Sequence, residues 1–141
     1  VHLLCYDSAH KRFPEQLTIV DENHFEVGTG ADKWVVQNIM TNGRELTKNG
    51  PSKLPWAELN VDIAIEATGV FRSHSQKDAD GNVTKEGYDG HLAAGAKKVI
   101  VPVVPTDQIE SFIVLGSNDE DLKADTNIVS LGLGLLFIGL I

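Results

Sequence analysis

Three groups of residues in this 141-residue chain have types and spacings that could do chemistry. The first is Thr68-Gly69, which closes the apolar run Val61-Asp-Ile-Ala-Ile-Glu-Ala67. Ligands of open α/β sheets sit in the crevice just outside the carboxyl ends of the strands. A glycine there lets backbone approach a phosphate or ribose, and a threonine adds an N–H and a hydroxyl. A plain strand-ending turn uses the same residue types, and the local sequence leaves both readings open. Glu66, inside the run, needs a partner or a solvent-facing position to stay ionised, which favours a structural role over a catalytic one. The second group is Cys5 with Tyr6-Asp-Ser-Ala-His10. No Lys or Arg precedes the thiol to favour its thiolate, so it reads as inert. Asp7 and His10 could pair on a helical turn.

The third group imitates known sites and lacks their decisive residues. Gly28-Thr-Gly30 has Lys33, and Gly132-Leu-Gly134 has Phe137, where a dinucleotide loop requires its third glycine. Asp78-Ala-Asp80-Gly-Asn82 starts like a calcium loop, but Val83 replaces the obligatory glycine and Asp89 the closing glutamate. Asn82-Val-Thr84 is a glycosylation sequon without weight in a reducing compartment. His2, His10, His24, His74 and His91 show no metal-ligand spacing. No metal ligand is assigned.

The elements that must position Thr68-Gly69 are legible as patterns. Leu17 to Val20, His24 to Val27 and Trp34 to Met40 read as a β-hairpin region, turning at Gly28 and Gly30. Thr41 to Lys53, with Asn42-Gly43 and Asn49-Gly50-Pro51, reads as a surface loop. Val61 to Ala67 reads as a central strand buried on both faces. Tyr88 to Ala96 reads as a short helix with Leu92 and Ala96 on one side, and Lys98 to Val104 as the next strand. Strand, crossover, helix and strand in this order form a βαβ unit, which makes the two strands parallel. Ser111 to Leu115 and Asn127 to Ser130 supply two more strands. The expectation is an open α/β sheet with a β-hairpin insertion.

Composition bounds the rest. Twelve Lys and Arg against 20 Asp and Glu give a formal charge of −8, which repels phosphate backbones and anionic membrane surfaces and disfavours nucleic-acid binding. One cysteine and no apolar signal core point to a reducing, cytoplasmic setting. The apolar run from Leu131 to Ile141 is too short to span a bilayer.

Five segments, in order and spacing, closely resemble the cofactor domain of the glyceraldehyde-3-phosphate dehydrogenases, with the erythrose-4-phosphate dehydrogenases as near relatives. They are Leu3-Leu-Cys-Tyr-Asp-Ser-Ala-His-Lys-Arg-Phe-Pro14, Leu54-Pro-Trp-Ala-Glu-Leu-Asn-Val-Asp62, Glu66-Ala-Thr-Gly-Val-Phe71, His91-Leu-Ala-Ala-Gly-Ala-Lys-Lys-Val-Ile100 and Val114-Leu-Gly-Ser-Asn118. The resemblance implies a doubly wound, Rossmann-like, mostly parallel sheet that binds NAD. It further implies a tetrameric glycolytic enzyme that oxidises and phosphorylates an aldehyde phosphate through a cysteine thioester. In family members the Ser/Ala-Thr-Gly-x-Phe segment packs against the cofactor, a role that carries over to Ala67, Thr68, Gly69 and Phe71. The crevice argument and the resemblance agree on Thr68 and Gly69.

The departures from the family fall at functional positions. The opening strand and Gly-rich pyrophosphate loop that precede the Tyr6-Asp-Ser segment in the family have no counterpart here. The expectation is a domain lacking its first βα unit, with NAD affinity weakened or lost. Asn49-Gly-Pro51 stands where members commonly carry Arg-Asp-Pro or Arg-Asn-Pro, leaving Arg44 as the substitute cation. Pro102 stands where members offer Ser or Thr to the cofactor, removing a hydroxyl and an N–H. The nucleophile motif would begin at Ser130, yet Gly134 occupies the cysteine's place, and the partnering histidine belongs to a second domain.

No catalytic residue is therefore assigned. Residues 1–130 are expected to be a partial NAD-binding domain and 131–141 an apolar Gly/Leu tail unlike the family. The favoured reading is a piece of such a dehydrogenase, inactive as this chain stands. The alternative is a non-enzymatic module whose apolar tail contacts a partner. Either way the chain is expected to depend on further subunits as a homo-oligomer, because an open sheet edge needs cover.

Overall fold

A computed structural model describes residues 5–7, 11–39 and 49–131. The chain divides into two compact units, Val1–Asn42 and Gly43–Ile141.

The first unit is antiparallel. Strand β1 (Tyr6–Asp7) pairs with β2 (Lys11–Arg12), and β3 (Leu17–Ile19), β4 (His24–Val27) and β5 (Trp34–Gln37) form a meander. Its register sets Leu17, Val27 and Trp34 abreast and Ile19, Phe25 and Val36 abreast two residues away. These six apolar side chains therefore share one face, as the period of two demands. The turn before β5 uses Gly28 and Gly30 at φ of 95° and 65°, so the hairpin region is where its pattern placed it. Asp7 lies in a strand instead of the helical turn expected for pairing with His10, and His10 lies outside the described residues.

The second unit holds a parallel four-stranded sheet, ordered β10 (Ser111–Phe112), β11 (Ile128–Ser130), β9 (Lys98–Val101) and β6 (Ile63–Ile65). Helix α1 (Gly90–Ala93) lies in the connection from β6 to β9, as a βαβ unit requires. The register brings Ala64, Val99 and Ile128 into one row and Val101 and Ser130 into another, and all five are buried. Tyr88 packs with Val99, Val101 and Ile128 in this core, flanked by Leu92, Val103 and Ile109. Gly95 ends the helix at φ 108°, where a Cβ would come within 2.6 Å of the Ala57 side chain. Only glycine lets the helix stop there.

Two expectations need correction. The run Val61 to Ala67 is not a central strand buried on both faces. Its strand is Ile63–Ile65, at the edge of the sheet, with Ile63 54% and Ile65 64% exposed on the face opposite Ala64. Alternation sends Ala64 into the core and the two isoleucines to the other side. The expected surface loop Thr41 to Lys53 ends packed instead: Gly50 and Pro51 are buried, and Pro51–Lys53 forms a 3-10 turn tied by the Ser52 hydroxyl to Glu86 at 2.6 Å. Its residues 41–48, Arg44 among them, lie outside the described residues, as does the tail at 132–141 with Gly134.

Between β6 and α1 the chain adds a hairpin, β7 (Gln76–Lys77) against β8 (Val83–Lys85). The Asp78 carboxylate accepts from the amides of Asp80 and Asn82 at 3.0 and 2.9 Å, so the calcium-like sequence is an Asx-type turn.

Candidate functional site: the crevice at the end of strand β6

β6 carries the chain outward, and the Glu66 amide still donates to the Ile100 carbonyl at 2.8 Å. Ala67, Thr68, Gly69 and Val70 then leave the sheet exposed, and Phe71 returns to the interior at 5% exposure. Gly69 makes the corner at φ 74°, with open space where a Cβ would stand. The conformation, and not crowding, calls for glycine at this corner.

Thr68 turns both of its donors inward. Its amide donates to Glu66 Oε1 at 2.9 Å, its hydroxyl donates to the same oxygen, and its Oγ1 accepts the Val70 amide at 3.2 Å. Glu66 Oε2 meets His91 Nε2 at 2.9 Å, and His91 Nδ1 meets Trp56 Nε1 at 2.9 Å. Glu66 and His91 are 2% and 5% exposed. An indole N–H can only donate, so Nδ1 is the bare nitrogen and Nε2 carries the proton: a neutral imidazole donating to an ionised carboxylate. Burial pushes the Glu66 carboxyl up, but the hydrogen bonds from His91 and Thr68 outweigh it and hold the group below its ordinary range.

The loop after β6 is stitched to the loop after β9. Arg72 Nε donates to the Val104 carbonyl at 3.1 Å, and the Thr106 amide donates to the Arg72 carbonyl at 2.7 Å. Asp107 accepts from the His74 amide at 2.7 Å and from the Tyr88 hydroxyl at 2.8 Å, and its Oδ2 lies 2.9 Å from His74 Nδ1. Burial pushes the Asp107 carboxyl up, and these donors bring it below its usual value. Burial and then the Asp107 carboxylate push the Tyr88 phenol well above its own.

Beside the Gly69 corner lies a cleft of about 340 Å³, lined by Asn49, Val70, Phe71 and residues 83–86 of β8 and its end. It joins apolar surface to the Lys85 cation and the Asn49 amide. A second cavity, about 390 Å³, lies on the open face of the sheet between Ile63, Ile100, Leu122 and Val129. It is almost wholly apolar and lacks the convergent polar groups of a ligand site.

Comparison with known proteins decides what family builds this crevice. The family described as "Glyceraldehyde 3-phosphate dehydrogenase, NAD binding domain" matches residues 1–74. The chain belongs to that family. It is similar to the glyceraldehyde-3-phosphate dehydrogenase of Thermotoga maritima, 36% identical over 132 residues, which are 92% of this chain and 32% of the relative. That of Borreliella burgdorferi is 38% identical over 133 residues, 92% of this chain and 33% of the relative. That of Mycolicibacterium smegmatis is 35% identical over 129 residues, 92% and 32% respectively. The chain thus spans about a third of the length of the curated relatives it matches.

The family expected from five motifs is the family found, and NAD is the cofactor its domain serves. The comparisons support the domain reading and not the partner-binding module. The parallel sheet with an antiparallel meander fits the doubly wound, Rossmann-like class.

Among the residues singled out from sequence, Ala67, Thr68 and Gly69 sit together at the strand end, and Phe71 lines the cleft beside them. Asn49, singled out as the departure from the family's adenine-side segment, lines the same cleft. Gly28-Thr-Gly30 turns a meander, and Cys5 lies in the first unit. Among the described residues no group of three His, Cys, Asp or Glu side chains could hold a metal. Sequence reasoning missed Trp56 and His91, because their bond to each other spans 35 positions and no local spacing encodes it.

Proposed function

We propose that this chain forms part of the cofactor domain of a glyceraldehyde-3-phosphate dehydrogenase and takes the adenosine side of NAD in the cleft beside Gly69. The observation that carries the reading is the convergence of Val70, Phe71 and Asn49 on one cleft, beside the Gly69 corner at the carboxyl end of a parallel strand. Ligand crevices of open α/β sheets form at such strand ends. Ala67 and Gly69 give backbone that a ligand can approach, Phe71 gives an aromatic edge, and Thr68 shapes the corner. The chain supplies binding and orientation. The reaction it serves in a complete enzyme is NAD-dependent phosphorylating oxidation of an aldehyde phosphate.

The wider setting proposed is a cytoplasmic homo-oligomer, in keeping with the acidic charge and with the open sheet face at Ile63 and Ile65. No helix among the described residues is long and apolar enough to cross a membrane. Residues 1–130 are proposed as the partial NAD-binding domain and 131–141 as an apolar Gly/Leu tail whose sequence is unlike the family.

Calorimetric titration of the whole chain with NAD tests the reading. Thr84→Trp fills the cleft from β8 and leaves the strand end alone, so it should weaken saturable binding about tenfold or more, worth about 1.4 kcal/mol. A folded wild-type chain without saturable binding, or a Thr84→Trp chain that binds as well as wild type, would contradict it.

A further inference from the structure

Trp56, His91, Glu66 and Thr68 make an unbroken line of hydrogen bonds from the half-buried Trp56, through the buried His91 and Glu66, to the lip of the crevice. Every proton in the line has one place. The indole can only donate, so His91 Nδ1 must accept. The remaining imidazole N–H must then point to Glu66, and a carboxylate already holding His91 on Oε2 receives both Thr68 donors on Oε1. Reversing any one bond would set two donors or two acceptors face to face in a buried site, at the cost of an unsatisfied polar group. The consequence falls on the crevice. With its N–H and O–H both spent inward, Thr68 has no donor for a ligand, and what this loop itself presents to the cleft is Val70 and Phe71, next to the Gly69 corner.

We infer that Trp56, His91 and Glu66 are positioning residues that act through Thr68, fixing the Gly69 corner in the geometry that accepts the cofactor. The inference rests on the proposed NAD crevice for its ligand but not for its mechanics. It reassigns Thr68 from a ligand contact to the last link of a buried relay. It also makes the Trp56 indole N–H a reporter of the crevice corner, through two intervening side chains.

Nitrogen-resolved NMR of the whole chain tests the mechanics without ligand. His91 should show a neutral imidazole protonated at Nε2. Thr68→Val, which removes the hydroxyl both as donor to Glu66 and as acceptor of the Val70 amide, should shift the Trp56 indole resonance and leave that of Trp34 in place, and Thr68→Ser should restore it. A His91 ring protonated at Nδ1, or a Trp56 resonance indifferent to Thr68→Val, overturns the inference whether or not NAD binds.

A double-mutant cycle on NAD affinity then tests the link to binding. Glu66→Gln and Thr68→Val should each weaken binding about tenfold, and together no more than the stronger single change, because they break one line. Multiplied losses would show a direct Thr68 contact with the cofactor and overturn the inference. The relay signature without NAD binding by the wild type would instead overturn the proposed cofactor reading and leave the mechanics supported. Should Glu66→Gln fail to fold, Trp56→Phe, which keeps the ring and removes the indole donor, replaces it in the cycle.

Discussion

Glu66 shows how a residue's role is set by what is spent on it. A carboxylate with 2% exposure survives ionised because His91 and Thr68 supply three donors. Its pKa lies below the ordinary value of 4.5. A carboxyl depressed in the folded state adds stability that is fully present above the unfolded pKa and is lost as pH falls through the folded one. Thermal melts should therefore show stability declining on acidification below about pH 4.5, and Glu66→Gln should flatten part of that decline while lowering stability at neutral pH. A decline of equal steepness in both proteins would contradict the assignment. At this scale the sequence was informative about Gly69, whose type alone announces a special backbone conformation. It was uninformative about Thr68, whose donors point inward only because His91, 25 positions beyond Glu66, braces that carboxylate.

Elements with a strong apolar period were readable, and polar ones were not. Ile63–Ile65, Lys98–Val101 and Ile128–Ser130 stand out as short apolar runs, though each is trimmed at its ends because the ladder stops where the chain turns into the crevice loops. The hairpin of β7 and β8 has no buried stripe to betray it: all of its strand residues are exposed, and Asp78 holds its turn. Asp78→Ala should raise amide exchange in β7 and β8 while leaving that of β9 unchanged. Coupled loss across β9 would mean that the hairpin is part of the cooperative core. Gly95 belongs to the same scale. Gly95→Ala meets both a φ of 108° and a 2.6 Å approach to Ala57, so urea titration should show a loss of about 2 kcal/mol or more. An unchanged midpoint would contradict the helix-stop geometry.

Taken whole, the second unit is a sheet with one face filled and one face open. Ala64, Val99, Val101 and Ile128 are buried, whereas Ile63 and Ile65 look outward, Ile63 beside Leu122 and Val129. The apolar run around Ile63 therefore suggested two buried faces, since sequence records what a face is made of and not what covers it. Ile65→Lys should reduce self-association in sedimentation velocity at little cost to the fold, because residue 65 contributes nothing to the filled side. Unchanged association would place the sticky surface elsewhere. The family itself was legible because five motifs recur in order, while the assignment of individual side chains to the cleft needed the fold that gathers Asn49, Phe71 and β8.

The most direct test of the account is a map of amide shifts across the chain during titration with NAD. Shifts are expected at Asn49, Ala67, Thr68, Gly69, Phe71 and Thr84, with Ile63 and Val129 on the open face unmoved. Shifts confined to the open face, or none at saturating NAD, would contradict a cofactor crevice at the end of β6.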